Sequence, residues 1–303
     1  MTRVYLCWSD REPEFQQLLP GSHLLVSPAH VTKRWCVGDW KTLPASVIID
    51  SGAFTESKKH GVVDVRTCLE AQLRILNGWP REAEAILVHY DKPLEPNLPF
   101  AEYQARVSQN LEAAREYLGR FPVAGHLTPM AVIHALDAET LAASYLELHD
   151  MGYRRFAVGS LVALLYRSRA RLQEIFRVCR ELELQGLHIL GISSPALLRD
   201  EVGPWIGSFD TSAPVRQAIG GTVLYSNPFE RRVLRPKGPH KLGNRRFGSR
   251  SILDAPRPCG CPVCSADSQA LLCPNENEAR QNRKIHNAFH LLEEVKSWTG
   301  SVT

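Results

Sequence analysis

Four side chains near the C-terminus have the types and spacing of a metal site: Cys259, Cys261, Cys264 and His286. Three thiolates and one imidazole complete a tetrahedral shell, which suits a structural zinc ion because no position stays open for water. Cys273 is an alternative fourth ligand, and so is His290, one helical turn further on. The competing interpretation is a cluster of free thiols beside an unrelated histidine. We expect a tightly held Zn²⁺ with no catalytic role.

A run of basic residues precedes the cysteines, although the formal net charge of the whole chain is only +4. This basic arm has no acidic residue and contains Arg231, Arg232, Arg235, Lys237, Lys241, Arg245, Arg246 and Arg250. It predicts contacts with the phosphates of a nucleic acid, which give affinity without sequence choice. The competing interpretation is a solvated loop.

The elements that must position such groups follow from the hydrophobic pattern. Short apolar runs, rich in β-branched or aromatic residues, predict eight strands, at 4–8, 23–27, 47–50, 85–90, 130–135, 155–160, 188–192 and 208–212. Apolar residues three and four apart predict helices between them, at 101–121, 138–152 and 163–185. This alternation favours the α/β class and a (β/α)8 TIM barrel, whose reactive residues lie at the C-terminal ends of the strands.

The chain divides into a predicted TIM-barrel catalytic core, residues 1–225, and a predicted basic arm and zinc-binding subdomain, residues 226–303. Prolines and glycines between about 226 and 258 predict an extended segment, and residues 276–298 predict a final helix that carries His286. No apolar run approaches the roughly 18 residues that a membrane span needs, and the N-terminus lacks the apolar core of a secretion signal. We expect a cytoplasmic protein that binds no membrane.

Several predicted strand ends carry further motifs. Asp50 to Phe54 read Asp-Ser-Gly-Ala-Phe, and Phe209 to Pro214 read Phe-Asp-Thr-Ser-Ala-Pro. With the cysteine motif and the Ile-His-Asn context of His286, these segments resemble the tRNA-guanine transglycosylases, and the resemblance covers most of the chain. Weaker matches lie at 90–91, 132–134 and 157–161.

The resemblance implies a base-exchange reaction on a polynucleotide. The implied nucleophile is Asp210, which forms a covalent intermediate at C1′ of the sugar, and the implied general acid and base is Asp50. Phe54 is implied as a stacking face for a flipped-out base. The other implied recognition residues are Asp91, for the N–H edge of guanine, and His134, Gly159 and Ser160, for the opposite edge.

Each of these residues also has a simpler interpretation. Asp50 is able to cap a following helix, and Asp210 or Asp91 to stabilise a turn. His134 on an apolar strand has the character of a core histidine. Phe54 has that of core filling.

Some positions depart from the family pattern. The family's glutamine is His134, a recognition glycine is Ser160, and Pro-Thr-Arg is replaced by Pro-Val-Arg at 214–216. With its Asp-Ser-Gly-Ala-Phe turn and a length shorter than the bacterial tRNA enzymes, the chain resembles the DNA-modifying branch of the superfamily. We therefore expect the replacement of guanine in DNA by a 7-deazaguanine such as preQ0.

Two other functions stay open at this point: base exchange in tRNA, and a non-catalytic zinc-containing subunit that binds nucleic acid. The resemblance also favours a homodimer formed through the zinc region. Whether opening of the DNA strands needs a helper protein does not follow from the sequence.

Overall fold

The apolar runs form the strands of a closed parallel barrel in a computed structural model of the chain. The barrel closes where β1 pairs with β8, with Tyr5 opposite Asp210. The strands are β1 (Arg3–Trp8), β2 (His23–Val26), β3 (Ser46–Ile49), β4 (Ala85–Val88), β5 (Leu127–His134), β6 (Arg155–Gly159), β7 (His188–Ile189) and β8 (Ser208–Thr211). The predicted (β/α)8 barrel is confirmed, although most strands end one to three residues earlier than predicted.

The structure describes most of the chain. The described residues are 2–53, 55, 64–95, 98–134, 137–161, 168–184, 186–192, 198, 206–226, 228–234, 252–273 and 275–299. Predicted site residues that fall in the gaps are Phe54, Arg235, Lys237, Lys241, Arg245, Arg246 and Arg250, which therefore lie outside the described residues.

Amphipathic helices surround the barrel, and side-chain caps begin three of them, at Asp64, Asp137 and Ser168. The Asp64 carboxylate accepts a hydrogen bond from Thr67 N at 2.6 Å, and Asp137 accepts one from Thr140 N at 2.8 Å. The helices are α1 (Phe15–Leu18), α2 (Val65–Ile75), α3 (Phe100–Arg120), α4 (Ala138–Asp150), α5 (Arg169–Glu181) and α6 (Ala213–Ile219). No helix in the described ranges is long and apolar enough to cross a membrane.

The strand side chains form two apolar layers, because successive residues point to opposite faces of a strand. In β1, Val4 and Leu6 belong to the outer core beneath the helices, whereas Tyr5 faces the barrel interior. The interior is filled by Tyr5, Leu25, Ile48, Ile86, Val88, Met130, Val132 and Ala157. Since this interior is packed, a reactive site has room only at the open ends of the strands.

The C-terminal region adds a small sheet and two helices to the barrel. Its elements are β9 (Thr222–Tyr225), β10 (Glu230–Leu234), β11 (Ile252–Leu253), α7 (Pro262–Asp267) and α8 (Glu276–Thr299). The buried Asn287 of α8 accepts a hydrogen bond from Leu224 N at 2.8 Å and donates to the carbonyl oxygens of Thr222 and Pro214. The predicted boundary at residue 225 falls between the paired strands β9 and β10, and the division into two domains stays a prediction.

Candidate active site and metal centre

The predicted site residues lie at one end of the barrel, where the strands finish. Asp50 follows β3 directly, Asp91 follows β4 after two residues, and His134 ends β5. Gly159 ends β6, with Ser160 after it, and Asp210 lies within β8. The sequence thus places carboxylates and an imidazole from separate segments around one opening.

The Asp210 carboxylate is almost fully buried and is contacted on both oxygens. Its Oδ1 accepts a hydrogen bond from Gly191 N at 2.8 Å, and its Oδ2 accepts one from the Cys7 thiol at 3.4 Å. Gly191 has φ of +74°, a conformation that only glycine adopts without strain and that turns its N–H toward the carboxylate. The fold therefore stabilises a negative charge at Asp210 with a backbone dipole.

The Asp50 carboxylate has a different environment. Burial raises the pKa of Asp50 to about 6, and the negative charge of Asp91 adds to this effect more than that of Asp210 does. A hydrogen bond from Gly52 N to Oδ2, at 3.0 Å, opposes the increase. Asp50 is therefore able to hold and release a proton near neutral pH, as a general acid and base must.

This raised pKa predicts a pH-dependent effect of Asp50→Asn on stability. Because the pKa in the folded state lies above the ordinary value, the favourable contribution is complete below pH 3.8 and is lost as the pH rises through about 6. Asparagine keeps an acceptor oxygen but carries no charge. We expect it to raise the free energy of unfolding by up to roughly 3 kcal/mol at pH 8 and to have little effect at pH 4.

Urea unfolding of both proteins at the two pH values measures this difference. The matched control is Asp150→Asn at the end of α4, since the Asp150 side chain is 86% exposed. An Asp50→Asn effect that is equal at pH 4 and pH 8 would contradict the shifted pKa.

Asp91, His134 and Ser160 form a continuous hydrogen-bonded chain. Leu94 N donates to Ser160 Oγ at 2.8 Å, Ser160 Oγ lies 2.9 Å from His134 Nδ1, and His134 Nε2 lies 2.8 Å from Asp91 Oδ2. Every group is satisfied when Ser160 donates to Nδ1 and the neutral imidazole donates from Nε2 to Asp91. Sequence reasoning put Asp91 and His134 at opposite edges of a base, and the structure pairs them directly.

The charge of Asp91 is well stabilised in this chain. Burial acts to raise the pKa of Asp91, but the hydrogen bond from His134 outweighs this effect, and the hydrogen bond from Ser51 acts in the same direction. The Ser51 hydroxyl donates to Asp91 Oδ1 at 2.9 Å. The pKa of Asp91 therefore lies below its ordinary value, and the site keeps an anionic acceptor at neutral pH.

Gly159 and Ser160 both contact the His134 imidazole. A Cβ atom on Gly159 would lie 2.8 Å from His134 Cε1, so only glycine fits beside the ring. Ser160 has φ of +62°, a strained conformation for a residue with a side chain. The bonds of its hydroxyl to Leu94 and His134 offset that strain, which explains how a serine is accommodated at this position.

The cysteine motif and the final helix form a compact metal centre. The ligand atoms of Cys259, Cys261, Cys264 and His286 all lie within 4.8 Å of one another. The three sulfurs lie 3.7, 3.3 and 3.5 Å from His286 Nδ1. A tetrahedral site with Zn–S of about 2.3 Å and Zn–N of about 2.0 Å has N-to-S edges of about 3.5 Å, so this group could hold zinc.

The surroundings of His286 fix its role as a ligand. Its Nε2 lies 2.8 Å from the Leu224 carbonyl oxygen, so Nε2 carries the proton and the Nδ1 lone pair points to the thiols. The alternative ligands lie outside this group: the Cys273 thiol donates to Glu278, and His290 is not among the described residues whose ligand atoms come together. The structure therefore supports His286 as the fourth ligand.

Comparison with known proteins agrees with this geometry. The family model described as "Queuine tRNA-ribosyltransferase" (TGT) matches residues 85–301, which include Asp91, Asp210 and the metal centre. The chain belongs to this family. The match begins after Asp50, so the TGT model itself does not cover the third strand.

Curated relatives of the TGT family give a more distant match. The queuine tRNA-ribosyltransferase of Chlamydia pneumoniae is 25% identical over 264 residues, which cover 82% of this chain and 64% of the relative. The enzyme of the same name from Chlamydia muridarum (strain MoPn / Nigg) is 26% identical over 219 residues, or 68% of this chain and 55% of the relative. The chain thus spans less than two thirds of the length of these relatives.

Sequence reasoning missed several polar residues of this TGT-family site. Cys7, Gly191 and His188, which surround Asp210, lie in apolar strand segments that give no catalytic signal. Gln72 of α2 is fully buried, and its amide donates to the carbonyl oxygens of Ile49, Asp50 and Val88. Gln72 lies on the apolar, inward face of an amphipathic helix. A buried amide needs hydrogen-bond partners, so its place there could have indicated a structural role near the strand ends.

Only two members of the predicted basic arm can be placed in the structure. Arg231 and Arg232 lie on β10, where Arg231 is exposed and Arg232 Nη2 donates to Glu230 at 2.5 Å. An acidic partner one step outside the predicted arm therefore compensates part of its charge. Arg231 has the exposure that a phosphate contact requires, and a role for the arm stays a prediction.

Proposed function

We propose that the chain is a base-exchanging transglycosylase that removes guanine from a polynucleotide through a covalent intermediate on Asp210. The observation that carries this proposal is the contrast between two carboxylates at the same barrel mouth. Asp210 accepts a backbone hydrogen bond that stabilises its charge, whereas Asp50 has a pKa raised to about 6. One carboxylate is suited to attack, and the other to carry a proton.

The exchange has two balanced steps. Asp210 attacks C1′ of the sugar while the bond from C1′ to the purine nitrogen breaks, and the leaving base takes the electron pair and a proton from Asp50. The incoming base then gives its N–H proton to Asp50 and attacks C1′. The electron pair of the broken ester bond returns to Asp210, so both carboxylates regain their initial states.

Base recognition is assigned to the chain of hydrogen bonds around His134. The Asp91 carboxylate keeps lone pairs beyond those that Ser51 and His134 use, and these are suited to the N–H edge of guanine. His134 holds Asp91 in place, and the backbone at Gly159 and Ser160 lines the adjacent strand end. Phe54 is proposed as the stacking face on the basis of the sequence motif alone.

The metal centre is proposed to hold one structural Zn²⁺. Its donors are three thiolates and one neutral imidazole, which leave no open coordination position. An ion held there would join the α7 segment to α8, and α8 is anchored by Asn287 to Pro214 and Thr222, which follow Asp210 in the chain. A zinc ion at this site would support the position of the nucleophile strand and would take no part in the reaction.

We favour DNA as the polynucleotide and a 7-deazaguanine such as preQ0 as the incoming base. This choice is supported by the Asp-Ser-Gly-Ala-Phe turn at 50–54 and by the departures at His134 and Ser160. The second candidate is base exchange in tRNA, which the name of the matching relatives favours. A homodimer formed through the zinc region, which the resemblance favours, is part of the proposal for either substrate.

Incorporation of radiolabelled guanine tests this function. Purified protein is incubated with labelled guanine and either plasmid DNA or bulk tRNA, and we expect label in DNA with the wild type and no label with Asp210→Ala or Asp50→Ala. The exposed Asp150→Asn is the control and should match the wild type. Label in tRNA alone would move the assignment to the second candidate, and no label in either polynucleotide would contradict base exchange.

A further inference from the structure

The nucleophile predicted for base exchange is held unequally at its two oxygens. Oδ1 accepts a short hydrogen bond from Gly191 N at 2.8 Å, and Oδ2 accepts a long one from the Cys7 thiol at 3.4 Å. A third group, His188 Nε2, lies 3.5 Å from Oδ1. Because a thiol is a weak donor, Oδ2 is the less strongly held oxygen.

His188 is built to point at this carboxylate. Its side chain is 2% exposed, and its Nδ1 lies 2.8 Å from Ser208 Oγ. Its Nε2 has no hydrogen-bond partner within the described part of the chain, which is unfavourable for a buried polar atom. A movement of about half an ångström would complete a hydrogen bond to Asp210.

Packing holds the His188 ring in this orientation. The ring lies edge-on to Tyr5, with ring centroids 5.6 Å apart, and the Tyr5 hydroxyl is in turn 3.0 Å from Ser46 Oγ. The Tyr5 ring therefore opposes movement of the imidazole away from Asp210. The barrel interior acts as a rigid support for the catalytic end.

The Cys7 thiol contacts the opposite oxygen and stays protonated. Burial, followed by the negative charge of Asp210, raises the pKa of Cys7 well above its ordinary value. A thiolate is the reactive form of cysteine, so Cys7 is not suited to act as a nucleophile. It is suited to donate an S–H hydrogen bond at neutral pH.

We infer that Cys7 and His188 are positioning residues that direct Oδ2 of Asp210 at the sugar, an inference that rests on the proposed function. Oδ2 forms the bond to C1′, and Oδ1 becomes the carbonyl oxygen of the ester while it keeps the Gly191 hydrogen bond. When the incoming base displaces the ester, the electron pair returns to the carboxylate. His188 then helps to stabilise the restored charge.

Paired substitutions test this assignment by single-turnover formation of the covalent adduct, with the polynucleotide that accepts label from the wild type. Cys7→Ala and His188→Phe remove a donor, and we expect roughly tenfold slower adduct formation with little change in KM. Cys7→Ser and His188→Gln keep a donor and should recover most of the rate. The control is His23→Phe, since His23 faces the same interior but bonds to Ser46.

The outcomes separate this inference from the proposed function. Adduct formation at the wild-type rate in Cys7→Ala and His188→Phe would overturn the inference while leaving base exchange intact. Equal loss in the donor-keeping and donor-removing variants would indicate packing alone and also overturn it. A wild type that forms no adduct and exchanges no base would overturn the proposed function, and the inference with it.

If the Cys7 and His188 variants do not fold, the contact between Cys7 and Asp210 can be tested with Cys7 itself unchanged. Iodoacetamide alkylation of Cys7 is followed by peptide mass spectrometry in the wild type and in Asp210→Asn. Removal of the carboxylate charge should lower the pKa of the thiol and speed the alkylation. An unchanged rate would contradict the contact between the thiol and the nucleophile.

Discussion

Asp210→Asn is expected to slow base exchange by roughly 10⁴-fold or more, because it removes the atom that forms the covalent bond. In the wild type, Gly191 N donates to Asp210 Oδ1 at 2.8 Å, and the asparagine side chain keeps an oxygen that can accept this hydrogen bond. The volume and the packing of the residue are also nearly unchanged. The loss should therefore appear in the rate of adduct formation and not in the melting temperature.

Steady-state exchange assays and thermal unfolding of the same samples measure this prediction. The informative comparison is with Asp50→Asn, which keeps the nucleophile and loses only the proton carrier. We expect a smaller loss there, of about 10²- to 10⁴-fold, as is typical of general acid and base groups. An Asp210→Asn variant that retains a tenth of the activity would exclude covalent catalysis at this residue.

Removal of the metal is expected to have the largest effect on stability. A ligand that binds only the folded state contributes about 4 kcal/mol when its free concentration is a thousand times Kd. Cys261 is the fully buried cysteine of the group. We expect Cys261→Ser to lose the zinc and to destabilise the protein by at least about that amount.

Atomic absorption and thermal unfolding check this prediction together. The wild type should contain about one zinc per chain, and so should the control Cys273→Ser, since that thiol contacts Glu278 and lies outside the cluster. Zinc retained in Cys261→Ser, or lost in Cys273→Ser, would show that the ligand set is wrong. Treatment of the wild type with a chelator should reproduce the Cys261→Ser phenotype.

The barrel could be predicted because its signals are local. A short apolar run such as 85–88 has a strand pattern that depends only on its own residues, and its burial in the structure follows from them. The metal centre was equally accessible, since the spacing of its cysteines places three sulfurs within one short segment. The ends of helices were harder to predict. The helix predicted to end at residue 185 ends at Glu181, where Leu182 N donates to the Val178 carbonyl oxygen and closes the last turn.

The details of the site were not predictable, because they depend on contacts between distant residues. Cys7 becomes part of the site only when β1 closes the barrel against β8, which brings it to Asp210 across 203 positions. The pairing of Asp91 with His134 likewise depends on the register of neighbouring strands. Sequence motifs identified the carboxylates, whereas their partners and the raised pKa of Asp50 follow from the folded geometry.

Identification of the covalent intermediate is the decisive test of Asp210 as the nucleophile. The wild type is mixed with the polynucleotide that accepts labelled guanine, denatured during turnover and digested, and the peptides are searched by mass spectrometry for an attached sugar. We expect the modification at Asp210 in the wild type and its absence in Asp210→Asn. A modification on another residue, or exchange of base without any adduct, would contradict this assignment.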